Sequence, residues 1–568
     1  MASNFSYNKR KNFKMKWKIF VYLMSVILPF VLLPLALSSH QELQCAYVMI
    51  IIAAYWILEP VSIAAVAMLP MVLFPVLGII SATEVCKNYM KEGYMAFIGG
   101  VMAALSMESC KLHERIALKV LLLVGAEIKW LLLGLMLTTT FMSMWMSNTA
   151  TTALMVTIVD ALVGEISSNT TEMHLDENNA VIGSNYIYSL EEIGKTRNTT
   201  KSKRNKSCAL RITLLLGVCY AANIGGTGTL IGTGSNLAFI AMLEKIYPGS
   251  EEISFATWMM YNVPGVFLCT IIGWFYLWLI NIYFSKMKQN DESKDEIYGI
   301  ISKRYGQLGT LTSHEISVIV LFSLLIALWI FRDPKFIPGW YTALGFKLKV
   351  GDSTTAIAIL FLMFFLPSNF RDLDSPRILE WKTAQAKFPW AVIFLVGSGA
   401  SLAQGAQVSG LSHSIGSMLS ALKALPPGLI VTITCFSTAA ATEIFSNLTT
   451  TVILLPILSQ MALSIGINPL YLMLPATVVS SYAFMLPVAT IPNAIVFEEG
   501  NMKTLDMLKP GIAMNILCCC IQLATLHTIG VPLFDLNKFP SWTINSNLTS
   551  IENVIFNATQ IQNNTSIL

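Results

Sequence analysis

The sequence predicts an all-α polytopic membrane protein built from two related halves. Three observations carry that prediction. Of the 568 residues, 54% are hydrophobic and only 12% charged, with a mean hydropathy of +0.62; a soluble domain carries about 25% charged residues. Apolar segments run nearly end to end, which leaves room for short loops and little else. Two stretches about 300 residues apart also nearly repeat each other. Ser143, Ser147, Asn148 and Thr149 precede Ala150, Thr151 and Thr152, while Thr442, Ser446, Asn447 and Leu448 precede Thr449, Thr450 and Thr451.

Charge placement orients the chain. Residues 1–18 carry Lys9, Arg10, Lys11, Lys14, Lys16 and Lys18, so the N-terminus is expected in the cytoplasm. The apolar run 19–38 is too long for a signal peptide and lacks a small-residue cleavage pattern, so it reads as a retained helix. Further apolar segments follow near 45–58, 60–80, 115–126, 128–145 and 147–164. A loop over about 165–207 carries Lys195, Arg197, Lys201, Lys203, Arg204 and Lys206, which places it inside. Segments near 208–222, 225–244 and 258–284 complete a first half over 19–284. The polar, basic stretch 285–312 is a cytoplasmic seam. The second half, 313–531, holds apolar segments near 313–331, 353–366, 426–444, 446–464, 469–484 and 508–530. Several segments fall short of the ~20 residues a spanning helix needs.

The tail 532–568 has Lys538 as its one basic residue and sequons at Asn547, Asn557, Asn563 and Asn564. It is expected outside, with Asn547 and Asn557 glycosylated. An N-in, C-out chain needs an odd number of crossings, here about 11. Sequons at Asn169, Asn198 and Asn205 fall on or near the basic loop and read as chance matches. Asn447, also formally a sequon, lies at membrane depth and should be unmodified. The basic clusters are accounted for by topology, so no nucleic-acid partner is expected.

Three features recur in the same order in both halves, at spacings of about 297, 299 and 257 residues. The first is a Gly-rich stretch, Phe97 to Gly100 and Phe394 to Gly399, expected to form a re-entrant helical hairpin ending near Leu112 and Leu411. The second is the Ser-Asn motif. The third is a broken helix ending in Asn, Ile224 to Asn236 and Leu486 to Asn493. Short or Gly/Pro-interrupted segments at corresponding places mark transporter binding sites, commonly in inverted repeats.

The chemistry of these places suits ions. A helix broken at membrane depth frees N–H groups that favour an anion and C=O groups that favour a cation. Ser143 and Ser147 lie four apart on one helix face, and Thr442 and Ser446 repeat that spacing. Their hydroxyls and the neighbouring Asn amides are neutral oxygen donors that suit Na⁺. Hydroxyls and amides also glue membrane helices together, but two matched motifs, each followed by a broken helix, argue for a site. Residues 225–236 lack the Gly-Lys-Ser/Thr of a phosphate loop. Six histidines show no metal spacing, and no nucleophile elbow or paired-acid motif is present, so no enzyme is expected. Ten cysteines show neither metal nor disulfide spacing and read as small buried hydrophobes. Intramembrane acids are functional candidates by default. Glu59 and Asp160 fit an interface equally well. Glu443 adjoins the Thr442/Ser446 face but points elsewhere, which suits locking the fold or tuning the field.

At these residues the chain resembles the divalent anion–sodium symporter family, the sodium-coupled dicarboxylate, citrate and sulfate cotransporters. The resemblance covers nearly the whole chain. It rests on both Ser-Asn motifs and on Lys111 to Leu118, Gly225 to Asn236, Arg332 to Pro334, Pro338 to Trp340, and Phe484 to Phe497. It implies a homodimer at the plasma membrane, each protomer with a scaffold and an elevator-type transport domain, and Na⁺ as coupling ion. Carried over by motif, the first sodium site would use Ser143, Ser147, Asn148 and the backbone near Gly226. The second would use Thr442, Phe445 (backbone), Asn447 and Ala489 (backbone). Substrate would meet Ser147, Asn148, Thr149, Gly226, Thr227, Ser446, Asn447 and Leu448. Glycosylation signals and the apolar Leu448 resemble an animal member. Residues 147–152 and 232–234 look like the carboxylate branch, implying uptake of succinate, citrate and related acids. Ser235, where carboxylate carriers have Pro, and Ile491, where the family usually has Pro, depart from it. A sulfate or other oxyanion symporter is the alternative, followed by a non-transporting sensor.

Overall fold

The computed structural model describes residues 19, 21–125, 127–163, 209–283, 291–334, 338–346, 350–419 and 423–543. The expected basic N-terminus, the basic loop 165–207 and the sequons of the tail lie outside these residues. Every described element is helical, apart from one isolated antiparallel bridge between Pro367 and Arg377. Among the described residues six helices are long and apolar enough to cross a membrane: Gln41–Leu58, Phe255–Ile280, Ser313–Ile330, Trp390–Val408, Asn447–Ile465 and Thr504–Leu533. The chain is a multi-pass membrane protein.

The first half begins with α1 (Val21–Ala36), α2 (Gln41–Leu58) and α3 (Ile63–Val76). It continues with α4 (Ala82–Lys87), α5 (Glu92–Ser109), α6 (Leu112–Val124) and α7 (Ile128–Ser143). Then come α8 (Asn148–Val163), α9 (Ala209–Gly225), α10 (Gly234–Ile246) and α11 (Phe255–Leu277). Helix α12 (Asp291–Gln307) lies in the seam. The second half runs α13 (Ser313–Ile330), α14 (Trp340–Ala343), α15 (Asp352–Phe365), α16 (Trp381–Lys387), α17 (Trp390–Val408) and α18 (Leu411–Leu419). It ends with α19 (Pro427–Thr442), α20 (Asn447–Ile465), α21 (Leu470–Val479), α22 (Ile491–Glu499) and α23 (Thr504–Thr525). Setting aside the one-turn α14, helices α2–α11 match α13–α23 in order. Helices α11 and α23 both run on into a π-helical turn, Trp278–Tyr283 and Leu526–Gly530.

Local chemistry sets the helix starts. Ser254 with Thr257 opens α11 through a capping box, and Thr312 with Glu315 does the same for α13. Pro427 stands in the first turn of α19, where its missing N–H has no helical partner to lose.

Each Gly-rich stretch lies within a continuous helix that is followed closely by a second one. Glu92–Ser109 runs for 18 residues before the chain bends by 69° into α6, the geometry of a broken span or of a re-entrant loop. Trp390–Val408 runs for 19 residues before α18. The glycines also serve packing. A Cβ on Gly99 would lie 2.6 Å from that of Ala356 in α15, and one on Gly397 would lie 2.9 Å from Cα of Tyr89. Each half thus presses its Gly-rich helix against the other half.

Ion pairs fasten the ends. Arg115 in α6 donates to Glu315 at 2.6 Å and to the carbonyls of Leu308 and Gly309 at 2.9 and 2.8 Å. That buried clamp ties the first half to the seam and to α13. Asp160 accepts from Arg211 at 2.7 Å, with both side chains about one-third exposed, which fits its interface reading. Glu108 pairs with Lys387 at 2.5 Å across the halves. All nine described cysteines are free, and six of them are buried.

Candidate functional site

The Ser-Asn motifs lie where helices break, as the sequence predicts. Helix α7 ends at Ser143 and α8 begins at Asn148; α19 ends at Thr442 and α20 begins at Asn447. Ser446 caps α20, accepting from Thr449 N at 3.3 Å. In the first half Ser147 Oγ accepts from Ala150 N at 3.2 Å.

Each break builds the same oxygen cluster. Ser143 Oγ lies 2.7 Å from both Asn148 Oδ1 and the Ala222 carbonyl. Thr442 Oγ1 lies 2.9 Å from Asn447 Oδ1 and 2.5 Å from the Ser480 carbonyl. A hydroxyl has one proton to give, and the Ala222 carbonyl also accepts from Gly226 N at 3.1 Å. Each cluster gathers three neutral oxygens, the donor type that suits a small hard cation. Ser143 and Thr442 are fully buried, while Asn148 and Asn447 are half-buried. The carbonyls of Ala222 and Ser480 carry no side-chain signature, and sequence reasoning missed both.

The two later breaks also repeat, residue for residue, under a shift of 257. Asn236 Nδ2 donates to the carbonyls of Gly226 and Thr229 at 3.1 and 2.7 Å. Asn493 Nδ2 donates to those of Ala483 and Leu486 at 3.1 and 2.8 Å. Thr233 and Thr490 then stand at the N-caps of α10 and α22 with nearly equal extended backbones. In this register the counterpart of Ala489 is Gly232, and that of Gly226 is Ala483. The expected pairing of Gly226 with Ala489 therefore joins two different levels of the break. Both levels meet in the first half, where a Cβ on Gly232 would lie 2.4 Å from the Gly226 carbonyl oxygen. A Cβ on Gly226 would lie 2.5 Å from Asn148 Oδ1. Thr227 is turned away: it is fully buried, and its hydroxyl donates to the Ile224 carbonyl at 2.7 Å.

The halves meet at these breaks. A Cβ on Gly234, at the start of α10, would meet Leu448 at 3.1 Å. The first helix start thus abuts the second motif. Ser147, Thr149, Ser446, Phe445 and Leu448 are all at least partly exposed, in contrast to the buried Ser143 and Thr442.

Glu443 locks the second break. Its carboxylate accepts from the backbone N–H of Phe484, Met485 and Leu486 and from Asn515 Nδ2, at 2.7 to 3.1 Å. The matching residue in the first motif is Met144, whose side chain faces Gly228. There the N–H groups of Thr227 and Gly228 bond to the carbonyls of Ile224 and Gly225 instead.

Residues 14–536 match the family model described as the sodium:sulfate symporter transmembrane region. The chain belongs to that family. It is 38% identical to a Na(+)/citrate cotransporter of Rattus norvegicus, over 95% of this chain and 99% of the relative. It is 36% identical to solute carrier family 13 member 2 of Homo sapiens, over 94% and 96%. It is also 36% identical to a sodium-dependent low-affinity dicarboxylate transporter of Caenorhabditis elegans, over 89% and 90%. Membership makes the chain a sodium-coupled anion symporter, with Na⁺ as its coupling ion, and the two oxygen clusters offer the donor type that ion requires.

Proposed function

We propose that the chain imports di- and tricarboxylates such as succinate and citrate across the plasma membrane, coupled to Na⁺. The observation that carries this reading is the pair of matched oxygen clusters, each beside a helix start. Sodium would be held at Ser143, Asn148 and the Ala222 carbonyl, and at Thr442, Asn447 and the carbonyls of Ser480 and Ala489. Ser147, Thr149, Ser446 and Leu448 would face the anion between them. The anion gains from the helix N-termini, while the Glu443 carboxylate is engaged by backbone N–H groups of the second break. The names of the relatives, cotransporters of citrate and dicarboxylates, support the substrate class.

The halves are read as inverted repeats of a homodimeric carrier that moves a transport domain against a scaffold, with the N-terminus inside and the tail outside. Uptake of labelled succinate, citrate and sulfate in sodium and in choline medium tests the substrate. Sodium-dependent carboxylate uptake is expected. Uptake of sulfate alone would overturn it in favour of the second reading, an oxyanion symporter. One observation favours that second reading: Ser235 is fully buried with no partner for its hydroxyl among the described residues, where the other half has Pro492.

A further inference from the structure

Between the two oxygen clusters runs a bridge that only one side of the molecule possesses. Asn223 follows Ala222, whose carbonyl belongs to the first cluster. That carbonyl and the N–H of Asn223 share one planar peptide unit, so a shift of either moves both. The side chain of Asn223 reaches into the other half. Its Nδ2 lies 2.9 Å from the Ala483 carbonyl, 3.1 Å from Asn493 Oδ1 and 3.5 Å from Thr490 Oγ1. Asn493 Oδ1 also receives Cys219 Sγ and Thr490 Oγ1, both at 2.8 Å. Thr490 in turn shares its peptide unit with the Ala489 carbonyl, which belongs to the second break.

Among the described residues the pseudo-equivalent bridge is absent. Under the shift of 257, Asn223 corresponds to Ser480 and Cys219 to Ala476. Ser480 stays within its own half, bonded at 2.7 Å to the Thr477 carbonyl and to Thr451 Oγ1. Asn236, the counterpart of Asn493, has no partner for its Oδ1 among the described residues although it is fully buried. One amide oxygen thus takes three donors and its twin takes none. A buried bond network of this kind is strong because its surroundings are of low dielectric, and it is specific because each member has few alternatives. A structural glue would serve both places; a connection serves one.

We propose that Asn223 couples the two cation sites, passing occupancy of the first to the second through Asn493 and Thr490. This rests on the placement of sodium at the two clusters proposed above. Sodium on the Ala222 carbonyl fixes the 222–223 peptide, which fixes the Asn223 amide. The amide holds the Ala483 carbonyl and Asn493, and Asn493 sets the cap that carries the Ala489 carbonyl. The first ion therefore orders the second site, and the second site filled favours the first by the same factor. Asn223 acts as a positioning residue, since it touches neither ion.

The test is a sodium titration of thermal stability on the purified full chain, with choline as replacement ion and no substrate. Four proteins are compared: wild type, Ser143→Ala, Asn223→Ala and the double variant. Coupling free energies between sites correspond to roughly 5–150-fold in affinity, so Asn223→Ala should raise half-saturating sodium at least about fivefold. On the Ser143→Ala background it should add less than about twofold, because no first ion remains to report. No change in the otherwise intact protein, or an equal increase on both backgrounds, overturns the proposal; the latter is what mere damage to the second site would give. If Ser143→Ala itself leaves the sodium curve unchanged, the placement of the first ion fails, a result distinct from failure of the coupling. Asn223→Ser, which keeps a polar group too short to reach Asn493, repeats the comparison if the alanine variant does not fold.

Discussion

Gly226→Ala isolates one cation cluster with a single methyl group. The added Cβ would stand 2.5 Å from Asn148 Oδ1, 2.9 Å from Nδ2 and 3.1 Å from Cγ. Ordinary contact begins near 3.4 Å, so the amide must retreat by about 0.9 Å. Ser143 Oγ sits 2.7 Å from that same oxygen. A retreat of that size opens the pair to as much as about 3.6 Å, where no hydrogen bond survives. The loss of one such contact, with the strain of overpacking, costs about 1.5–3 kcal/mol. At 1.4 kcal/mol per tenfold, half-saturating sodium should rise by about 10–100-fold. The second half supplies a natural control, because Ala483 already occupies the equivalent position and shifting it to Gly should change sodium dependence little. Uptake of labelled succinate against sodium concentration, normalised to surface protein, reads both variants. Unchanged half-saturation in Gly226→Ala would refute the geometry of the first cluster. An equal change in Ala483→Gly would refute the claim that the crowding is local to Asn148.

Two other positions carry sharp expectations. Glu443→Gln turns an amide NH₂ toward backbone N–H groups; losing charge-assisted bonds worth about 1.5–3 kcal/mol each should lower the melting temperature of the purified protein and raise half-saturating sodium, and a variant with wild-type values of both would contradict its locking role. Arg115→Ala leaves Glu315 buried without its partner at a cost of about 3–5 kcal/mol, so surface expression should fall steeply, and Arg115→Met combined with Glu315→Leu should recover part of it; a double variant worse than the single would show that the carbonyls of Leu308 and Gly309 matter more than the ion pair.

Much of the site was legible because its chemistry is written in side chains. Hydroxyls four apart, an amide next to the second one, and the same pattern about 300 residues on pointed to Ser143, Asn148, Thr442 and Asn447. The breaks at Asn236 and Asn493 were legible for the same reason. The carbonyls proposed as ligands carry no such mark: Ala222 and Ser480 enter only through where α9 and α21 end. Thr227 reads as a site residue by its neighbours, yet the turn of the chain spends its hydroxyl on Ile224. The packing of the Gly-rich stretches was hidden for a related reason. Glycine permits both a bend and a close approach, and the approach shows only once Ala356, Trp329 and Tyr89 stand on the far side of Gly99, Gly100 and Gly397. Those contacts join residues hundreds of positions apart, so no local pattern holds them.

The two breaks solve one problem by different means, which explains how little sequence they share. A helix interrupted at membrane depth must satisfy every freed N–H and C=O from within the protein. The first half does so with backbone: glycines at 225, 226, 228 and 232 let the strand of chain fold on itself, and Thr227 and Gly228 bond to carbonyls just upstream. The second half uses prolines to leave the helical path, and a carboxylate, Glu443, to gather three N–H groups at once. Residues that only support the path are therefore free to differ. Residues whose oxygens would face the ion under the proposed placement are not, because the ion would ask the same of each cluster. Similarity between the halves is thus concentrated at Ser143 and Thr442, at Asn148 and Asn447, and at Asn236 and Asn493. The charge bookkeeping differs as well. The first cluster is built of neutral groups, whereas the second lies next to Glu443 in the chain, so two geometrically equal clusters present unequal fields to a cation. Under the proposed sodium placement, geometry repeated with unequal field, and joined by an Asn223 bridge that only one half supplies, would give the two sites separate roles within a single transport step.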